Sequence, residues 1–248
     1  MKLSVVIIAK NSAKIIEECI KSVSFADEII VVDGGSTDNT KEVAQKQKAK
    51  VITGISYDFA KQRNIGKTHA KNEWIFYIDT DERVTPELAK SIQQAIENPQ
   101  FDAYKIKRKN FYLGNFPWPG IEKLERLFKK SHLKQWVGAL HESPVVEGTI
   151  GELDGFLLHY SHQSLSSMVS KTNQWSEIEA ELRFKNNHPK MSWWRFYRVM
   201  YTGFYNSYIK QGGFKAGTPG LIESLYQAFS MFITYAKLWE RQHEKNSK

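Results

Sequence analysis

The chain has one cysteine, Cys19, so no disulfide can form within it. Cys19 lies among Ile15, Ile16, Ile20 and Val23 at helical spacing, which predicts a small core residue and fits a reducing compartment. No run approaches the ~18 uncharged apolar residues of a spanning helix. Leu3–Ala9 is apolar but too short to span and has no cleavage-like site, so neither a membrane span nor a signal peptide is expected. Internal repeats and low-complexity tracts are also missing, which excludes solenoid and fibrous architectures. The 248 residues present are 41% hydrophobic and 25% charged, a balance that buries a sizeable core rather than staying disordered. Net charge is +8 and the sequence pI about 9.3. That excess suggests an anionic partner: nucleic acid, a phosphorylated substrate or an acidic membrane surface.

The first hundred residues alternate in type. Buried strands are expected at Leu3–Ala9, Glu28–Asp33, Lys50–Thr53 and residues 74–78. Helical patterns fall between them, at residues 13–24, from a cap at Thr37 or Asp38 to about Gln47, and from about Tyr57 to His69. Thr85-Pro86-Glu87 combines a cap, a proline at the first helical position and an acid in the first turn, and starts another helix. Strand–helix alternation with short connections predicts an α/β fold with a mostly parallel sheet flanked by helices. Residues 101–160 differ, with short strand-like runs at 103–107, 126–129 and 156–160 and a turn-dense loop at 113–120. From Ser164 the pattern is helical, at about 164–186, 191–211 and 218–243. The expected division is a catalytic α/β domain over 1–162 and a helical extension over 163–248.

Trp74-Ile75-Phe76-Tyr77-Ile78 ends in Asp79-Thr80-Asp81. Ligands in open α/β sheets bind beyond the carboxyl ends of the strands, where stability alone asks for no acids. Alternate residues of an extended chain point the same way, so both carboxylates could face one divalent cation. Taken alone, the pair also suits a solvated turn capping the helix at Pro86. The second strand ends in Asp33-Gly34-Gly35-Ser36-Thr37-Asp38. Its glycines permit close approach to a ligand, and its acid can accept from a ribose hydroxyl or a base N–H. An ordinary strand-to-helix turn reads the same way. Lys10-Asn11-Ser12, at the end of the first strand, can do this job too or simply cap a helix. Lys61 and Arg63 could meet phosphates, although solvent-facing basic residues are the default on a basic protein.

Ser4-Val5-Val6-Ile7-Ile8-Ala9-Lys10-Asn11, Ile29-Ile30-Val31-Val32-Asp33-Gly34-Gly35-Ser36-Thr37-Asp38, Ala60-Lys61-Gln62-Arg63-Asn64-Ile65-Gly66 and Asp79-Thr80-Asp81 together resemble glycosyltransferase family 2, the GT-A-fold group. Order and spacing agree over about residues 1–100. The resemblance implies that Asp33 holds the nucleoside and that Asp79 and Asp81 hold Mg²⁺ or Mn²⁺ on the donor diphosphate. Many members have Asp-Asp-Gly-Ser where this chain has Asp33-Gly34-Gly35-Ser36, so one nucleoside-side acid is missing. Leu124-Glu125-Arg126-Leu127-Phe128, then Trp136-Val137-Gly138-Ala139-Leu140-His141-Glu142, His159-Tyr160-Ser161 and Lys237-Leu238-Trp239-Glu240 resemble the bacterial lipopolysaccharide core β-1,4-glucosyltransferases. That implies a UDP-sugar donor, glucose in that group, and a lipid-linked saccharide acceptor.

Inverting transfer needs a base for the acceptor hydroxyl. Family members use an acid after the middle strands, and Glu142 is the best positional match, with Glu122 and Glu125 as rivals. His141 is expected to orient Glu142 or a substrate hydroxyl; a surface turn before Pro144 is the other reading of His141-Glu142. His159 is expected either to complete the metal shell, as a late histidine does in some GT-A enzymes, or to be a hydrogen-bonded structural residue. Arg126, like Arg63, is expected at the donor phosphates, and Lys10 and Asn11 are expected among the nucleotide-binding residues. In the tail, Trp193, Trp194, Phe196, Tyr197, Tyr201, Phe204, Tyr205 and Tyr208 interleave with Arg195 and Arg198. They fit amphipathic packing helices, an anionic inner-membrane surface, or both, and so a cytoplasmic, peripheral location. Two competing readings remain. One is a nucleotidyltransferase of related fold. The other is a basic nucleic-acid-binding module, which acids at three strand ends disfavour.

Overall fold

The computed structural model describes residues 2–56, 58–138, 142–162 and 164–244. At its centre lie β1 (Leu3–Ala9), buried throughout, and β4 (Trp74–Asp79), buried up to Asp79. Both pair in parallel register, and β2 (Glu28–Asp33) and β3 (Lys50–Thr53) extend the parallel half. Strands covered on both faces need apolar side chains at successive positions, which is why β1 reads as a continuous run. Val5 and Ile7 enter one core with α1 (Ile16–Ser22), α2 (Thr40–Lys46) and α4 (Pro86–Glu97). Val6 and Ile8 enter the other with α3 (Phe59–His69). Cys19 is fully buried in the first core, and burial pushes its thiol well above the usual range.

The sheet runs β3-β2-β1-β4-β7-β6-β10-β5 among the described residues, with β5 (Glu82–Val84), β6 (Ala103–Tyr112), β7 (Phe116–Lys129) and β10 (Ile150–His162). The pairing of β4 with β7 is antiparallel, as is that of β10 with β5. A separate hairpin joins β8 (Leu133–Val137) and β9 (Ser143–Val146). The expected α/β architecture, a largely parallel sheet flanked by helices with helices at the C-terminus, is present.

Several local expectations change. The 113–120 loop shrinks to a turn at 113–115, and β7 already starts at Phe116 despite Pro117 and Pro119. Prolines two apart remove donors from one edge only, which a strand tolerates. The second helix starts at Thr40 after Asn39, with no side-chain cap there. Asp38 instead accepts from the amides of Ala13 and Thr40. The third helix is capped by Asp58, whose carboxylate accepts from Lys61 N at 3.0 Å; Tyr57 lies outside the described residues. Thr85 caps α4 as expected.

Two compact units result: residues 1–109 with 121–159, and residues 110–120 with 160–248. The second includes the 110–120 segment, which helical periodicity does not mark. It is built on α5 (Leu165–Lys185), α6 (Trp193–Tyr205) and α7 (Gly217–Glu244). Its core includes Ala180, Met191, Val199, Tyr235 and Leu238. Ser164 and Ser167 form a reciprocal capping box at the start of α5.

Candidate active site

Three loops at the carboxyl ends of β1, β2 and β4 are tied together by short polar side chains. Asn11, in the left-handed region at φ 49°, donates its backbone amide to Ser36 Oγ (2.9 Å), and its side chain accepts from Thr37 N (2.8 Å). Asparagine tolerates that conformation better than most residues. Ser12 N donates to Thr40 Oγ1 at 2.7 Å, and Ser12 Oγ lies 3.1 Å from Thr80 Oγ1. The middle residue of Asp79-Thr80-Asp81 thus anchors the acidic loop to β1. Arg83 ties it to α1, donating to the carbonyls of Thr80 (2.8 Å) and Ile15 (2.9 Å).

Asp33 is 2% exposed, and its carboxylate accepts from the amides of Gly35 and Ser36. It therefore shapes the turn in which Gly35 takes φ 90°. A Cβ at Gly34 would sit 2.8 Å from Gln62 Nε2, whose amide donates to Ser56 O. The missing second acid of this turn thus has a physical counterpart: the Gln62 amide fills the space beside position 34. Lys10 is exposed at the end of β1.

The helix bearing Ala60-Lys61-Gln62-Arg63-Asn64-Ile65-Gly66 is read differently by the structure than by charge alone. Lys61 is exposed beside Asp58. A Cβ at Gly66 would lie 2.3 Å from Val6, so only glycine lets α3 lie this close to β1. Asn64 takes both backbone groups of Trp136, accepting from its N–H and donating to its C=O, each at 2.9 Å. Lys67 Nζ donates to Lys134 O at 2.8 Å. These bonds hold β8 on α3, and the chain leaving β8 leads to Glu142.

Arg63, expected at phosphates, is 1% exposed. Its Nη2 lies 2.9 Å from Asp79 Oδ1 and 2.8 Å from Glu142 Oε1, bridging the two acids. The guanidinium lies 4.8 Å from the Trp136 ring and 5.8 Å from Tyr77. Tyr77, Phe128 and Trp136 pack edge to face around it. Its Nη1 is buried without a hydrogen-bond partner. Arg126, 6% exposed, gives Nη2 to Asp79 Oδ2 at 2.9 Å and lies 3.5 Å from Glu82 Oε1. Burial alone would raise the Asp79 carboxyl, but the charges of Arg63, Arg126, His159 and Arg108 outweigh it and hold it well below the usual range.

Sequence reasoning missed Glu82 and Arg108. Glu82 is fully buried, accepts from Asp79 N at 2.9 Å and pairs with Arg108 Nη1 at 3.0 Å. A carboxylate next to an acidic pair reads as more of the same turn. A long-range contact 26 residues away gives no local signal. Glu122 pairs with Arg108 and Glu125 with Lys105, as Glu142 does with Arg63.

The β10–β5 ladder sets His159 opposite Glu82. That brings His159 Nε2 to 3.6 Å from Asp81 Oδ2, with both side chains a fifth exposed or less. The acidic pair is thus divided: Asp79 is held by two arginines, and Asp81 lies beside the imidazole. Carboxylate oxygen and imidazole nitrogen suit Mg²⁺ or Mn²⁺ as a partial shell completed by phosphate oxygens or water. Among the described residues no group of three or more His, Cys, Asp or Glu is arranged around a cation position. His141 lies outside the described residues.

The Glycosyl transferase family 2 model matches residues 4–149. A Rickettsia bellii protein described as an uncharacterized glycosyltransferase is 33% identical over 256 residues, covering 96% of this chain and 86% of its own. The lipopolysaccharide core biosynthesis glycosyltransferase LpsC of Rhizobium meliloti is 26% identical over 258 residues, covering 97% of this chain and 93% of its own. Residues 1–349 of S. aureus TarS align with 100% of this chain and 92% of that one, at 16% identity and a TM-score of 0.49.

Proposed function

This chain belongs to glycosyltransferase family 2, and we propose that it is a metal-dependent inverting enzyme that moves glucose from UDP-glucose to a lipopolysaccharide core or related envelope glycan. The observation that carries the reading is the meeting of Asp79, Asp81, Arg63, Glu142 and His159 at the carboxyl end of β4. Similarity to LpsC over nearly the whole chain supports an envelope saccharide as acceptor.

Asp33, Lys10 and Asn11 line the nucleoside side. Asp33 already accepts two amides, and a carboxylate has lone pairs left for a ribose hydroxyl or a base N–H. Asp81 and His159 would hold Mg²⁺ or Mn²⁺, with Asp79 the carboxylate fixed next to them, and the cation would supply Lewis-acid stabilisation of the departing diphosphate. Arg63 and Arg126 fix the Asp79 carboxylate, so it needs no reorganisation as charge develops on the leaving group. The acceptor oxygen forms its bond to the sugar C1 as the bond from C1 to the diphosphate oxygen breaks. UDP leaves with the electron pair, and Glu142 takes the hydroxyl proton. Arg63 holds Glu142 Oε1, which orients the carboxylate for that transfer.

A lipid-linked acceptor places the enzyme at the inner face of the cell membrane as a peripheral protein. No helix among the described residues is long and apolar enough to cross a membrane. Thermal shift with UDP-, GDP- and ADP-sugars, each with Mg²⁺ or Mn²⁺, tests the donor. UDP-glucose should raise the melting temperature in the presence of metal. Asp33→Ala should remove that response. Preference for a GDP- or ADP-sugar overturns the uridine assignment, and release of pyrophosphate instead of UDP overturns glycosyl transfer in favour of nucleotidyl transfer.

A further inference from the structure

We propose that the outward face of α6 is the surface by which this protein docks on an anionic lipid bilayer, with Trp193, Tyr197 and Tyr201 entering the headgroup layer and the exposed Arg198, on the flank of that stripe, reaching lipid phosphates. The proposal deepens the peripheral-membrane reading above and rests on it.

Trp193, Tyr197 and Tyr201 are 76%, 71% and 67% exposed. Their spacing of four residues sets them in one stripe along the helix. Trp193 and Tyr197 rings lie 6.2 Å apart, and Tyr201 stacks on Tyr205 at 5.8 Å. The opposite side of α6 is spent on packing: Val199 is buried, Phe196 meets Phe232 of α7, and a Cβ at Gly203 would already lie 3.1 Å from Met231. At this exposure the stripe buries little apolar surface within the fold beyond those ring contacts. Rings with one polar end suit the boundary between water and hydrocarbon.

Charge selects the partner. Residues 182–222 contain seven Lys or Arg and no Asp or Glu. Arg195 and Arg198 both lie over the Trp194 ring, at 4.8 and 5.5 Å. Most acids of the neighbouring elements are already engaged, while Glu240 lies exposed near the end of α7. Glu177 and Glu181 of α5 pair with Lys237, Arg241 and Lys185, and Glu223 of α7 is 1% exposed. A symmetric pairing of two copies through this face would set cation against cation with no acid in the segment to answer it. An anionic bilayer meets both features at once.

The test is flotation of the full chain with phosphatidylglycerol–phosphatidylethanolamine vesicles and with phosphatidylcholine vesicles, beside transfer to a delipidated, soluble acceptor glycan. Wild type should float with the anionic vesicles, and high salt should weaken but not abolish this. Arg198→Gln should weaken anionic-vesicle binding roughly fivefold at low salt, from about 1 kcal/mol per basic residue. The triple Trp193→Ser, Tyr197→Ser, Tyr201→Ser should remove the salt-resistant part. Both variants should keep the wild-type melting temperature and wild-type transfer to the soluble glycan. Wild type that transfers sugar but ignores anionic vesicles at low salt overturns the docking proposal and leaves the enzyme assignment standing. Vesicle binding with no transfer from any nucleotide sugar does the reverse. A dimer in sedimentation that the triple variant dissolves overturns the membrane in favour of a second copy.

Discussion

The first unit buries a cluster of paired charged side chains; the second leaves several of its large aromatics in water. Arg63, Glu82 and Arg126 are 1%, 0% and 6% exposed. With Asp79, Arg108 and Glu142 they form one connected set of ion pairs. Of the twenty-three large hydrophobic side chains exposed among the described residues, seventeen lie in the second unit, which is the smaller one. Burying ions costs desolvation that a packed apolar core would avoid, and exposing aromatics forgoes burial at about 25 cal/mol per Å². Each unit therefore departs from the cheapest arrangement, in opposite directions. A departure of that kind marks a surface or cluster kept for something other than stability.

The largest expected effect falls on the acidic loop of the first unit. Asp81→Asn, or EDTA on the wild type, should abolish transfer and metal-dependent nucleotide-sugar binding while circular dichroism stays unchanged. Undiminished turnover in EDTA would sink the metal assignment. Glu142→Gln comes next: turnover should fall by about 10²–10⁴ with donor affinity kept, as expected when proton transfer is lost but binding is not. Normal turnover there, with loss in Glu122→Gln or Glu125→Gln, would move the base.

Arg63→Met should cost about 3–5 kcal/mol, because it strands Asp79 and Glu142 without their shared partner. Urea denaturation measures this. The sign of its pH dependence follows from Asp79. Its folded pKa is depressed below the usual carboxylate value, so the pairing contributes fully above that value and is lost as pH falls through it toward the folded one. The gap between wild type and Arg63→Met should be widest near neutrality and narrow below about pH 4. A gap independent of pH would mean that packing against Trp136, and not charge, carries the effect. The smallest effect belongs to the second unit: Tyr201→Ser should change stability by no more than about 0.5 kcal/mol. A loss of several kcal/mol would show that this face is packed and remove the contrast between the units.

Much of the site could be read from the residues, yet its wiring could not. Asp33, Asp79 and Asp81 stand out because strand ends in an open sheet need no acids for stability. Arg63 stood out for its charge, which suggested phosphate. Its two carboxylate partners lie 16 and 79 residues away, and that distance hid its role. Asn64, Ser12 and Thr80 lie in the motifs, but their tying roles gave no signal of their own, since short polar residues near turns are common.

The sequence by itself determined the alternation of strand and helix, the placement of acids at strand ends, the cap at Thr85, and the basic, aromatic character of the tail. All of these depend on side-chain chemistry and period within one element, so they survive without knowledge of neighbours. Tertiary structure alone decided that His159 comes to Asp81, because the antiparallel pairing of β10 with β5 is a long-range choice of register. It decided that the 110–120 segment joins the helices, and that Arg63 faces Glu142 and Asp79 instead of solvent. It also decided which side of α6 is left uncovered, since α7 can hide only the face it packs against.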